Sequence, residues 1–202
     1  MSPARRGQDT RDRVVGAAAS LYRRQGCAGT GLAQIAQESG TRVGSIYHFF
    51  GGGKDALTEE VVRTSGAAYG ALVAGILAEG PEDPVEALGA AFGRAADDLA
   101  ASGYADACPI ATIALEVAST HEPLRRATAE VFGEWLVGLT AFCRGVVDDE
   151  AVARDLATAV LTMLEGAFVL SRAARDTTAL HAAGRGVVVL ASALRDTHAA
   201  QD

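Results

Sequence analysis

The 202-residue chain is poor in cysteine, proline, methionine and tryptophan, and contains a single lysine. Its three cysteines, Cys27, Cys108 and Cys143, are odd in number and far apart. They match no metal-binding spacing and no disulfide framework. They are read as reduced, buried small hydrophobes; Cys108, beside Pro109, has a second reading as a pocket-lining residue. The four histidines, His48, His121, His181 and His198, are dispersed. HExxH, GxSxG, a P-loop and paired cysteines are all missing, so neither an enzyme nor a metal or cofactor is expected. Strand-like alternation and hairpin signals are missing too, which predicts an all-α fold. No apolar run reads as long and uncharged enough to span a membrane. The opening MSPARRGQDTRDR leads into no apolar signal core, so a cytoplasmic protein without a membrane partner is expected. At 49% hydrophobic residues, the chain is too apolar to be disordered.

Charge is present but unevenly placed. Residues 1–54 hold eight basic groups (Arg5, Arg6, Arg11, Arg13, Arg23, Arg24, Arg42, Lys54) against Asp9, Asp12 and Glu38, a net of +5. The whole chain is −7, which leaves −12 for the remainder. A basic small segment on an acidic larger body fits a DNA reader joined to a sensing domain. We therefore divide the chain into a DNA-binding domain, 1–54, and a helical ligand-binding and dimerisation domain, 55–202. One lysine against seventeen arginines, with much alanine and glycine, points to a GC-rich bacterial genome.

Helical spacing of Val14, Val15, Ala18, Leu21 and Tyr22 predicts a first helix from about Asp9 to Gln25, ended by Gly26. A second helix begins at Thr30 or Gly31 and carries Ile35 and Ala36 inward. Ser39-Gly40-Thr41 breaks it. A third helix, Val43 to Phe49, follows, with Ile46 and Phe50 inward and Arg42, Ser45, Tyr47 and His48 outward. Gly51-Gly52-Gly53 turns into a fourth helix, from Lys54 to about Leu77. Gly80 to Pro84, Gly103 to Pro109 and His121-Glu122-Pro123 are further breaks. Between and after them, helices are predicted over 85–99, 110–118, 124–147, 151–174 and 178–195. Asp148-Asp149-Glu150 makes an acidic helix start.

Two short helices joined by a glycine-containing turn are a usual device for placing a helix in the DNA major groove, which is about 12 Å wide. Gly26, Thr30, Ile35-Ala36, Gly40, Gly44, Ile46-Tyr47, Phe50, Lys54 and Leu57 resemble the DNA-binding domain of TetR-family regulators. Gly51 to Gly53, Cys108-Pro109-Ile110-Ala111 and Leu164-Glu165-Gly166-Ala167 resemble its LmrA/YxaF-like branch. The resemblance implies DNA-backbone contacts from Thr30, Tyr47, His48 and Lys54. Arg42 suits a guanine or a phosphate, Ser45 either, and Gly44 allows close approach; Val43 completes the reading set. Each has a plainer reading: Thr30 as a cap, Tyr47 as packing, His48 and Lys54 as solvated side chains. The chain departs from the family at Val43, where a basic residue is common, at Phe49 in place of His or Tyr, and at Gly51 in place of proline.

The resemblance further implies a homodimer whose last two helices from each subunit form a four-helix bundle. The alternative is that these helices complete the monomer core. Phe92, Cys108, Ile110, Leu115, Phe132, Trp135, Leu139, Leu164 and Phe168 are the candidates to line an effector pocket, with ordinary core as the competing reading. Glu116 and Glu165 are read three ways: orienting a ligand hydroxyl, pairing with an arginine such as Arg172, or facing water. The family implies a repressor released from operator DNA by a small, largely apolar effector; the branch includes regulators released by flavonoids and other planar aromatic compounds. Two alternatives stay open, a DNA-binding dimer without a small-molecule ligand and a helical ligand-binding protein with an incidental basic segment.

Overall fold

The computed structural model describes residues 3–105 and 108–199. Among these residues the backbone forms nine α-helices and no strand. They are α1 (Pro3–Gln25), α2 (Leu32–Glu38), α3 (Val43–Phe49), α4 (Lys54–Glu79), α5 (Pro84–Ala101), α6 (Pro109–Val117), α7 (Glu122–Cys143), α8 (Glu150–Ala174) and α9 (Thr178–Ala199). The chain divides into two units, Met1–Ala67 with Cys108–Val131 and Ala68–Ala107 with Phe132–Asp202.

Most helix ends follow from local chemistry. Gly40 sits at φ +64 after α2. Its N–H donates to the Gln37 carbonyl, and that of Thr41 to Ala36, the paired bonds of a Schellman stop. Gly103 ends α5 in the same way, at φ +65. Asp83 caps α5 by accepting from the Val85 N–H at 2.9 Å, with Pro84 in the first turn. Asp149 caps α8 by accepting from Ala151 and Val152. The acidic helix start predicted there is thus present, with Asp149 outside the helix and Glu150 in its first turn.

Three boundaries differ from expectation by more than two residues. Helix α1 starts at Pro3, ahead of Asp9; proline is tolerated in a first turn, where its missing N–H breaks no bond. Helix α7 stops at Cys143 rather than Val147, because the chain turns at Gly145 and buries Val146 and Val147. Helix α9 continues to Ala199.

The expectation on membrane spans also needs correction. Helices α4 and α8 are long and apolar enough to cross a membrane by length and composition, each with a window of mean hydropathy 1.4. Part of that apolarity serves packing within the chain. Leu57, Val61 and Val62 of α4 are buried in the first unit. Ala153, Leu156, Ala157, Val160 and Ala167 of α8 join the core of the second.

That second core is built on α5, α8 and α9, with Leu88, Phe92, Leu99, Leu180, Val187 and Ala191 buried. Two glycines set the α5–α9 distance: a Cβ on Gly184 would lie 2.8 Å from Phe92 Cβ, and one on Gly89 2.7 Å from Val188 Cγ2. Gly186 makes room for Met163 in the same way. Gly166 has open space around it and is exposed. Gly184 and Gly186 therefore answer to packing within the chain, and Gly166 does not.

Candidate nucleic-acid interface

Helix α3 is short and one-sided. Ile46, fully buried, anchors it, and Phe50 behind it is 4% exposed. Around this anchor Arg42, Gly44, Tyr47 and His48 are exposed and Val43 and Ser45 half-buried. Arg42 is the extended residue preceding the helix. Tyr47 is 54% exposed, and its ring lies over Gly53, where a Cβ would come within 3.1 Å of the ring edge. Gly53 takes φ +66, so both conformation and space require glycine there. His48 meets Phe49 edge-on at 5.1 Å. Lys54 opens α4 and is half-buried.

The surrounding helices hold this face through bonds that no local pattern in the sequence announces. Arg13 of α1 donates to the Ser39 carbonyl in the turn before α3, at 3.2 Å. Arg11 stacks over the Phe50 ring at 5.3 Å and pairs with Glu60 at 2.8 Å. Cys27 and Tyr22 both approach the Thr58 hydroxyl, at 3.4 and 3.0 Å. Burial is the main cause that pushes the Tyr22 phenol far above its ordinary range, so it stays a neutral hydrogen-bonding group.

Thr30 is placed differently from the rest of the set. It is 1% exposed, and its hydroxyl donates to the Gly26 carbonyl at 2.7 Å while accepting from Gln25 Nε2. Gly31, not Thr30, precedes α2 at the N-cap, and no side chain caps that helix. In this structure Thr30 shapes the α1–α2 turn from inside.

The predicted effector residues fall into two groups. Cys108 and Ile110 belong to the first unit and are buried there; the Cys108 sulfur accepts from the Ala111 N–H as the cap of α6. Leu115, on the same helix, is 80% exposed and encloses nothing in the single chain. In the second unit, Phe132 meets Trp135 edge-on at 5.5 Å, and Tyr69, not foreseen from sequence, tilts against Trp135 at 5.2 Å. Gly70 admits the indole: a Cβ there would lie 3.0 Å from it. Leu139, Leu164 and Phe168 pack against the second core. Phe92 also lines a groove of about 500 Å³ between α5 and α9, with His181 and Arg185 on α9 among its other residues.

Glu116 and Arg172 do not pair. Glu116 accepts from the Ala28 N–H at 2.8 Å, and Arg172 donates to the carbonyls of Tyr104 and Ala105. The long-range backbone partner of Glu116 lies 88 residues away and leaves no trace in local sequence.

A basic three-helix head with an outward α3, on an all-helical chain, defines a helix-turn-helix DNA-binding protein. Comparison with known proteins agrees in both parts of the chain. Residues 14–61 match the family model for bacterial regulatory proteins of the tetR family, and residues 84–186 match that for the C-terminal domain of LmrA/YxaF-like transcriptional regulators. The chain is 33% identical over 172 residues to the HTH-type transcriptional regulator LmrA of Bacillus subtilis, covering 85% of this chain and 91% of that one. It is 34% identical over 175 residues to the regulator YxaF of the same organism, covering 85% and 90%. A crystal structure of a TetR-family transcriptional regulator from Agrobacterium tumefaciens superposes with a TM-score of 0.76 at 26% identity, over 90% of this chain and 97% of the other. The chain belongs to the TetR family of transcriptional regulators, in its LmrA/YxaF-like branch. It is a DNA-binding regulator and not an enzyme.

Proposed function

We propose that the chain is a homodimeric cytoplasmic repressor, with residues 1–54 as the operator-reading domain and residues 55–202 as the effector and dimerisation domain. The observation that carries the DNA side is the outward face of α3. Arg42, at its N-cap, and Gly44, Tyr47 and His48 are exposed, and Val43 and Ser45 half-buried, around a helix anchored by Ile46. Arg42 reads a guanine or clamps a phosphate, Ser45 contacts a base or a phosphate, and Gly44 lets the backbone close in. Tyr47 and His48 hydrogen-bond phosphate oxygens. Lys54 adds a full charge at the start of a 26-residue helix, where the first amides have no partner within the helix. Thr30 acts on this set through the turn it stabilises.

The dimer reading rests on α8 and α9. Their exposed positions include Thr158, Thr162, Gly166 and Val169 on one and Ala182, Val189 and Ala193 on the other. These small and apolar residues allow two copies to pack closely as a four-helix bundle. The effector reading rests on Tyr69, Phe132 and Trp135, whose rings offer flat apolar faces to a planar aromatic molecule. Effector release follows if the bound form holds the two heads out of register with half-sites about 34–36 Å apart.

The test is a titration of full-length protein on a duplex selected from a random-sequence pool, with a panel of planar aromatic compounds added afterwards. A compound that quenches Trp135 fluorescence and releases the duplex is the expected result. Duplex binding that no compound disturbs, with unchanged fluorescence, would leave the DNA side standing and remove the effector side.

A further inference from the structure

Helix α6 reaches into the DNA-reading unit through one carboxylate. Glu116 Oε2 accepts from the backbone N–H of Ala28 at 2.8 Å. The same carboxylate rests on Gly26, where a Cβ would collide with it. Gly26 also holds φ +80, a conformation that favours glycine, so any other residue there is strained and displaces the carboxylate. The turn is thus gripped from both sides: Thr30 donates to the Gly26 carbonyl from within, and Glu116 accepts from Ala28 from α6. Gly31, three residues after Ala28, is the N-cap of α2, and the Gly40 turn leads from α2 into α3.

We propose that Glu116 is a positioning residue of the DNA-reading head, setting the α1–α2 turn, and with it α2 and α3, by this single hydrogen bond. It touches no DNA. The inference rests on α3 being the helix that faces DNA. A charged acceptor on a backbone N–H is among the stronger hydrogen bonds available near a surface. It is also the long-range side-chain bond made to the amide of Ala28, a residue with no side-chain polar group of its own.

Two conservative variants separate positioning from charge. Glu116→Gln keeps the reach and the acceptor and removes the charge. Glu116→Asp keeps the charge and shortens the reach by one methylene. Removing a negative charge near a DNA-binding head tightens binding if charge alone matters. Positioning predicts the opposite ranking. Glu116→Asp weakens binding to the selected duplex about tenfold, the loss of one charged hydrogen bond, while Glu116→Gln stays within about twofold. Affinity for unrelated duplex and the salt slope stay as in the parent protein.

Hydrogen exchange of the Ala28 amide gives a readout that needs no DNA. It is expected to quicken about tenfold in Glu116→Asp and to remain slow in Glu116→Gln. An Ala28 amide equally protected in both variants overturns the proposal, as does an Asp variant that binds like the parent beside a tighter Gln variant. A parent protein that selects no duplex at all instead removes the assignment of α3, and the Ala28 amide still judges the Glu116 contact.

Discussion

Tyr22 Oη and Thr58 Oγ1 lie 3.0 Å apart in the interior of the DNA-reading unit, joining α1 to the first turns of α4. The Thr58 hydroxyl also donates to the Lys54 carbonyl at 2.8 Å, which leaves the Tyr22 hydroxyl to donate to Thr58. This pair ties the start of α4, and so Lys54, to the first helix. Tyr22→Phe removes the donor and leaves Thr58 with its own bond to Lys54. The expected loss is about 1 kcal/mol of stability, measured by denaturant unfolding at constant slope. An unchanged midpoint would show that the buried bond contributes nothing net.

Lys54 carries the only lysine charge in the chain. As a phosphate contact it acts on every sequence alike. Lys54→Ala is expected to weaken selected and unrelated duplexes together and to reduce the salt slope by about one. Arg42→Ala separates the two readings of that residue: loss at one base position marks a guanine contact, and a uniform loss marks a phosphate contact. Filter binding at several salt concentrations measures both variants. A salt slope untouched by Lys54→Ala would place that side chain away from DNA.

The glycines of α8 and α9 make opposite predictions. Gly184→Ala drives a methyl into Phe92 and costs about 1–3 kcal/mol through overpacking. Gly166→Ala meets nothing within the chain and raises helix propensity, so an isolated chain gains about 1 kcal/mol. If α8 forms the dimer seam, the same methyl obstructs a partner copy and weakens association. Sedimentation equilibrium over a concentration series reads this directly. A Gly166→Ala protein that dimerises as tightly as the parent would move the seam off that part of α8.

Acid sensitivity follows from four carboxylates. Asp83 is held below its ordinary range first by the Val85 N–H and then by Arg195, and Asp149 first by the Val152 N–H. The Thr178 hydroxyl and N–H do the same for Asp176. Glu122 is lowered to about 2, chiefly by its hydrogen bond from Arg125. Each folded-state value lies below the unfolded one, so the folded chain binds fewer protons between them. Their stabilisation is complete above about pH 5 and is lost as pH falls through the folded values. Melting temperature should therefore drop between about pH 5 and pH 2, and less steeply in an Asp83→Asn, Asp149→Asn double variant. Asparagine keeps the capping oxygen at both sites and removes the titration, together with the charge that Asp83 presents to Arg195. Parallel pH profiles for parent and variant would exclude these two caps as the source.

Burial pushes the Cys143 thiol up to about 11. It stays a thiol, and not the reactive thiolate, at neutral and mildly alkaline pH. An alkylating reagent at about pH 8 should label Cys143 only on the unfolding timescale. Mass spectrometry of timed samples checks this; prompt labelling of the folded chain would contradict the burial assigned to it.

Much of the DNA-reading unit was legible because its information is local. Gly26 and Gly40 punctuate helices by their φ values, and Ile46 and Phe50 face inward by spacing alone. The same reasoning located α3 to the residue. Its reading of Thr30 as a cap fails, because the hydroxyl's partner is the Gly26 carbonyl behind it rather than an amide ahead in α2. It passed over the length and apolarity of α4 and α8, because alanine raises mean hydropathy without forming a conspicuous run of large apolar residues. Among the effector candidates, the contact of Trp135 with Phe132 lay within one helix, whereas Tyr69 and Gly70 came from a distant one.

What the sequence by itself determined is the helical periodicity, the stops, the inward and outward faces of α3 and the basic charge of the first 54 residues. Each depends on residues within a turn or two of one another, or on a sum that ignores position. Tertiary structure alone decided that Glu116 spends its carboxylate on the Ala28 amide, that Arg13 holds the Ser39 carbonyl and that Gly184 exists to admit Phe92. Those are pairings between elements, and the chain contains many carboxylates, arginines and glycines that satisfy the same local rules. Only packing chooses which of them meet.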